Sequence, residues 1–168
     1  MVDIIQIKEG YVHAKTSKKT KGTYIYLGGE FGSSVLATDN VMMTAVLTKG
    51  KTVIEAASCE PEVVDLANFL IKMGAKIKGH GTPIIEIDGV ESLHGTEHSI
   101  IPDRIEAGTF MIAAAITKGD VTIKGAEYQH LGAVIDKLTS AGLYIKRADG
   151  DMRINGNRRL HPVNRYGC

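Results

Sequence analysis

Cysteine is scarce. Cys59 and Cys168 are the only two in 168 residues, they stand far apart, and no C-x-x-C occurs. That excludes a disulfide framework and points to a reducing compartment, so a cytoplasmic location is expected. Long apolar runs are also missing. The longest, Phe110 to Ile116, falls far short of the ~20 residues that span a bilayer. Met1-Val2-Asp3 offers neither the cationic n-region nor the cleavage site of a secretory leader, and no membrane partner is expected. Neither sign of charge dominates: 20 Lys and Arg against 19 Asp and Glu leave a net charge of +1, so nothing in the whole-chain balance calls for nucleic acid. The densest basic run, Lys15 to Lys21, has no interleaved aromatics to stack on bases and reads as a solvated loop. The histidines share no metal-ligand spacing with cysteine, and Gly95 between His94 and His98 favours a turn over a helix. No metal and no cofactor are therefore expected. What is left, 43% hydrophobic and 23% charged residues, is the composition of an ordinary globular chain of one or two small domains.

What the chain does have is a repeat. VMMTAVLTKGKTVIEAA from Val41 is answered by FMIAAAITKGDVTIKGA from Phe110, with Thr48-Lys49-Gly50 in register with Thr117-Lys118-Gly119. The correspondence continues through Val63, Leu66, Ala67 and Leu70 onto Leu131, Val134, Ile135 and Leu138. It then runs from Met73-Gly74-Ala75 onto Ala141-Gly142-Leu143, and from Ile85-Glu86-Ile87-Asp88-Gly89 onto Met152-Arg153-Ile154-Asn155-Gly156. Such an internal repeat sets the architecture before any residue is read for chemistry.

In the second copy, Asp103 caps a helix start with Glu106 three residues on, the arrangement of a capping box. Ile105, Gly108, Thr109, Ile112, Ala115 and Ile116 recur at helical spacing and predict a narrow packing face. Lys118-Gly119 ends that helix, with the glycine in the left-handed conformation. Val121-Thr122-Ile123 reads as a strand. A helix with Leu131, Val134, Ile135 and Leu138 on one face follows, stopped by Gly142, and then strands from Tyr144 and at Met152-Arg153-Ile154. The first copy predicts a helix from about Thr38 to Leu47, a strand over Thr52–Ala56, and a helix with Pro61 in its first turn. Strands near Lys76-Ile77, Ile84–Ile87 and His98–Ile101 complete it. Cys59 reads as a small buried thiol. The fold class is α/β, in layers, with helices covering one face of each small sheet. Gly10–Ala14 and Gly22–Leu27 read as the tail of an earlier unit. His161-Pro162-Val163-Asn164 nearly closes the last one. The expectation is a piece of a longer protein.

Two stretches carry a family resemblance: Glu60-Pro61-Glu62-Val63-Val64-Asp65-Leu66-Ala67-Asn68-Phe69-Leu70, continuing into Met73–Ile77, and His98-Ser99-Ile100-Ile101-Pro102-Asp103-Arg104-Ile105-Glu106-Ala107-Gly108-Thr109-Phe110. They resemble the enolpyruvyl transferases, in particular the bacterial family acting on UDP-N-acetylglucosamine (the 1-carboxyvinyltransferases) rather than on shikimate 3-phosphate. The resemblance implies repeated βαβαββ-type units of an inside-out barrel, here incomplete. It places residues 1–101 in one globule and 102–168 in the next. It also implies phosphoenolpyruvate and UDP-N-acetylglucosamine as substrates and the remainder of the parent polypeptide as partner.

By the same resemblance Ser34 and Val35 match a pair contacting the uridine diphosphate, although Ser34 equally reads as a residue of a loop approaching a helix. Glu60 and Glu62 match a cleft-lining carboxylate pair, and equally read as acids at a positive helix end. Asp103 matches a hinge aspartate and caps its helix in either case. Arg104 reads as an anion ligand or as a partner of Glu106. The chain departs from the family pattern at Leu36, where glycine is usual, and at Gly32, where some relatives carry lysine. The resemblance also puts the general-acid loop upstream of Met1 and the match fails from Arg165 onward, so no turnover is expected of this chain alone. Two rivals stand beside that reading. One is a non-catalytic paralogue that binds a nucleotide sugar or a protein. The other is a structural element associating through open strand edges.

Overall fold

A computed structural model describes residues 4–15, 20–30, 32–148 and 150–163. Residues 16–19 of the basic run, and Asn164 to Cys168 at the end, lie outside them. The chain divides into two compact units, Met1–Ser99 and Ile100–Cys168.

The first unit opens with a hairpin of β1 (Ile4–Lys8) and β2 (Tyr11–Lys15), turned through Glu9 and Gly10, both at positive φ. Then come β3 (Tyr24–Tyr26), α1 (Val35–Ala45), β4 (Lys51–Glu55), α2 (Pro61–Lys72), β5 (Lys76–Lys78) and β6 (Ile84–Asp88). The sheet order is β3-β4-β6-β5, with β3 parallel to β4 and the other pairs antiparallel. Alternation along β4 and β6 sends Thr52, Ile54, Ile85 and Ile87 to one face, where they meet Met42 and Ala45 of α1 and Val63, Ala67 and Leu70 of α2.

The second unit repeats this with α3 (Arg104–Ile116), β7 (Asp120–Ile123), a 3₁₀ turn over Tyr128–Leu131, α4 (Gly132–Ser140), β8 (Tyr144–Ala148) and β9 (Asp151–Asn155). Its sheet has the order β7-β9-β8. Met111, Leu131, Met152 and Ile154 are fully buried at its centre. Strand register matches between the units: Thr52 opposes Ile87 as Val121 opposes Ile154. Loop bonds match too. Gly89 N–H donates to the Gly50 carbonyl at 3.0 Å as Gly156 donates to Gly119 at 2.8 Å, and His94 donates to Met73 at 3.0 Å as His161 donates to Ala141 at 2.9 Å. Even the exposed cross-strand ion pair is kept, with its signs exchanged: Lys51–Glu86 at 2.8 Å becomes Asp120–Arg153 at 2.7 Å. The hydrogen-bonded partner holds Glu86 and Asp120 below the usual carboxylate range.

The α/β reading stands, and no barrel closes among the described residues. Four local expectations are corrected. The first helix begins at Val35, not Thr38, because Ser34 is its cap. The buried stripe of α3 is Ala107, Gly108, Met111, Ala114 and Ala115, while Ile105, Ile112 and Ile116 are exposed. Both stripes have helical spacing in a helix that is apolar all round. The sheet takes the smaller one because β9 ends against the α3 backbone at Ala114, where only short side chains fit. The left-handed residue after α3 is Lys118, with φ 55, not Gly119. Finally, His98–Ile101 forms no strand. His98 Nε2 is bonded to Asp65 Oδ1 of α2 at 2.9 Å, with its ring 5.2 Å from that of Phe69, and this draws the segment onto α2 instead of a sheet.

Candidate functional site

Ser34 has the extended backbone of a helix cap, and its Oγ accepts the Ala37 N–H at 3.2 Å. The Ser34 carbonyl receives two donors, Thr38 N–H at 3.0 Å and Thr38 Oγ1 at 2.8 Å. Thr38 Oγ1 in turn accepts the Ser58 N–H at 3.0 Å. Thr38 and Ser58 are both buried. One hydroxyl thus ties the start of α1 to the loop that leads from β4 into α2. Sequence reasoning missed Thr38. The signal was faint: a threonine inside a helical pattern normally bonds back to its own turn, and only the fold reveals a second partner.

The same loop carries Cys59 and Glu60. Cys59 is exposed, which corrects the expected buried thiol. Its neighbours Ala57 and Ser58 take the interior, because the turn at Ala56, with φ 55, rotates the chain there and leaves the cysteine outside. Glu60 is the cap residue of α2 without a side-chain cap bond, Pro61 is at its start, and Glu62 is in its first turn. Acids there sit against the positive end of the helix dipole. Beside them is Asp39 of α1, partly buried, with one carboxylate oxygen that has no partner among the described residues. Burial first, then the charge of Glu62, raises its carboxyl above the usual range.

The first unit therefore gathers Ser34, Val35, Asp39, Glu60 and Glu62 around two neighbouring helix starts. Val35 packs on the core and Leu36 is exposed. Gly32 has φ 89, a left-handed conformation that disfavours a side chain such as lysine there. In the second unit Asp103 caps α3, accepting the N–H groups of Ile105 at 2.8 Å and Glu106 at 3.0 Å, and Arg104 is the first helical residue. What the arrangement offers chemically is backbone N–H donors and positive helix ends, suited to anionic groups, with carboxylates able to orient cations beside them.

One consequence of the Asp39 environment is measurable. A raised carboxyl means the folded state holds its proton to higher pH than the unfolded chain. The associated stability is complete below the ordinary value of 3.8 and is lost as pH rises through the raised one. Asp39→Asn is expected to stabilise the first unit by about 0.5 kcal/mol at neutral pH and by nothing in acid below the ordinary value. Denaturation midpoints against pH check this. A variant less stable at neutral pH contradicts it.

The sheet-and-helix repeat can be set beside known proteins. The sequence profile of the EPSP synthase (3-phosphoshikimate 1-carboxyvinyltransferase) family matches residues 3–164, and the chain belongs to that family. Among individual relatives, it is 54% identical over 159 residues to UDP-N-acetylglucosamine 1-carboxyvinyltransferase 1 of Caldanaerobacter subterraneus subsp. tengcongensis. It is 48% identical to the protein of the same name from Staphylococcus aureus strain N315. Each match takes in 95% of this chain, which spans 37% of the length of those relatives. The fold is shared with the enolpyruvyl transferase NikO from Streptomyces tendae, with a TM-score of 0.74 at 20% identity over 90% of this chain and 38% of NikO. It is shared also with an EPSP synthase from Acinetobacter baumannii, with a TM-score of 0.61 at 23% identity over 95% of this chain and 38% of that one.

Proposed function

We propose that this chain is scaffold and part of the ligand cleft of an enzyme that moves enolpyruvyl from phosphoenolpyruvate to the 3-hydroxyl of UDP-N-acetylglucosamine. That reaction would commit the sugar nucleotide to peptidoglycan, in the cytoplasm, in support of wall growth and division. The observation carrying the reading is the 54% identity, over 95% of the chain, to a relative named for that transfer.

In the chemistry proposed, the sugar hydroxyl adds to C2 of phosphoenolpyruvate as C3 takes a proton. A base takes the hydroxyl proton in that addition; a base then removes a proton from C3 as the C2–O bond to phosphate breaks, which restores the C2=C3 double bond in the enol ether and releases phosphate. This requires an acid, a base and positive potential around phosphate and carboxylate. The start of α1, at Ser34 and Val35, supplies N–H donors for the diphosphate. Glu60 and Glu62 orient cationic side chains, and Asp103 and Arg104, at the start of α3, belong to the substrate-binding residues by the same family likeness. Proton transfer belongs to residues of the complete enzyme beyond this chain, and the chain by itself is not expected to turn over.

The test is a chimera in which this chain replaces the matching stretch of the Caldanaerobacter relative. Calorimetric titration should show that it binds UDP-N-acetylglucosamine and ignores shikimate 3-phosphate. Preference for the shikimate ester overturns the substrate assignment. A chimera that folds and binds neither ligand favours the reading as a non-catalytic paralogue whose partner is a protein. Leu36, 74% exposed in the first turn of α1 where the resemblance has glycine, is the feature that supports that second reading.

A further inference from the structure

The repeat diverges where α3 ends. Gly89 matches Gly156 and His94 matches His161, so the residues between them, Asn157 to Leu160, are the counterparts of Val90 to Leu93. In the first unit this segment closes against the helix: Val90 N–H donates to the Val46 carbonyl at 2.8 Å, and Leu93 packs on the core. Asn157 does not repeat that bond. Its N–H turns back to Asn155 Oδ1 at 3.1 Å, and Leu160 stays 38% exposed. The helix end has changed as well. The left-handed residue is Gly50 in the first unit, with φ 100, and Lys118 in the second, with φ 55, one position earlier in the repeat. A left-handed lysine carries a backbone cost that the glycine beside it would have avoided.

At this place lies a groove of about 420 Å³ with two kinds of wall. Ala115, Ile116 and Leu160 form an apolar side, where Ile116 is 72% exposed. Lys118, Arg158 and Arg159 supply three cationic groups, where the first unit has Lys49, Glu91 and Ser92. None of the three is in an ion pair among the described residues. Asp120, two positions from Lys118, is already taken by Arg153 and Asn155. The Arg158 guanidinium lies 5.4 Å from the centre of the Tyr144 ring, a stacking contact that holds the group and leaves its N–H edges open. The arginine loop is tied down on both sides, by Gly156 N–H to the Gly119 carbonyl and by His161 N–H to the Ala141 carbonyl. The cations are thus placed before any ligand arrives.

We propose that this groove binds a soluble organic phosphate with an apolar body. Two guanidinium forks and an ammonium match the oxygens and the double charge of a phosphate monoester, and the apolar wall takes the body. The volume falls within the roughly 300–1,000 Å³ of small-molecule sites. Cations near a helix C-terminus also complement the helix dipole, but that role calls for neither an apolar wall nor three charges. The groove is at the opposite end of α3 from Asp103 and Arg104, about 20 Å along a helix of 13 residues, and it stands or falls apart from the transfer reaction.

The test titrates the full 168-residue chain with octyl phosphate, below the concentration at which it forms micelles, and follows the backbone amide signals. Saturable shifts are expected at Ile116, Gly119, Asn157 and Arg159, with inorganic phosphate binding at least about tenfold more weakly for want of an apolar body. Lys118→Gln combined with Arg159→Gln, both at exposed positions, should weaken octyl phosphate about tenfold and leave the other signals of the unit in place. Should the double variant fail to fold, Arg159→Gln alone carries the test, with a loss of about fivefold. No saturable binding, shifts that fall elsewhere, inorganic phosphate bound as tightly as octyl phosphate, or unchanged affinity in the variants each overturn the proposal. Binding to phosphatidylglycerol vesicles without binding to octyl phosphate overturns it too, in favour of a membrane surface.

Discussion

Gly89→Ala is expected to destabilise the first unit by about 3 kcal/mol, and Gly156→Ala the second by a similar amount. These glycines are repeat counterparts, each just past the last strand of its unit. A Cβ on Gly89 would fall on the Thr48 carbonyl, and one on Gly156 on the Ala114 carbonyl. Both obstacles are backbone atoms, one in the turn that follows α1 and one in the last turn of α3, so no side chain can swing aside. The strand end and the helix end must separate, and the bonds from Gly89 to Gly50 and from Gly156 to Gly119 go with them. Backbone conformation is not the reason, since neither glycine has a positive φ. Denaturation of each variant, followed by amide signals of the affected unit, checks the expectation. Wild-type stability in either alanine variant would mean that the helix and strand ends are not in contact.

Thr38→Val should cost about 2 kcal/mol and loosen the site as well as the core. Valine fills nearly the same volume, so packing is little changed, but the Ser58 N–H loses its acceptor in a place without solvent. A buried donor left unsatisfied costs about 1–3 kcal/mol. The Ser34 carbonyl keeps the Thr38 N–H at 3.0 Å, so the start of α1 itself should persist. What is lost is its coupling to the loop before Glu60. Thr38→Ser keeps the hydroxyl and should recover most of the loss. Equal destabilisation by serine and valine would assign the effect to the missing methyl and remove the bridge from the account.

The repeat made most of the architecture legible in the residues. Its two small sheets with their covering helices and the Pro61 and Asp103 helix starts follow from periodicity and cap chemistry, which are local; the pairing directions of the strands do not. The failures have non-local causes. Which apolar stripe of α3 is buried depends on how near the sheet comes, and that is set by the contact of Gly156 with Ala114, 156 − 114 = 42 residues earlier. The missing strand at His98–Ile101 depends on Asp65 and Phe69, which no window around His98 contains. Cys59 looked like a buried thiol because the inward turn at Ala56 is a left-handed alanine, a conformation that no residue type announces. At the candidate site, Ser34 and the acids were visible as types in a pattern, but the Thr38 bridge needed two distant segments to meet.

The most direct measurement is phosphate release from phosphoenolpyruvate by the chimera described above, with UDP-N-acetylglucosamine as acceptor, beside the 168-residue chain alone. Sugar-dependent release by the chimera and none by the isolated chain is the expected result. Release by the isolated chain, or a folded chimera that binds both substrates and releases no phosphate, would contradict the account.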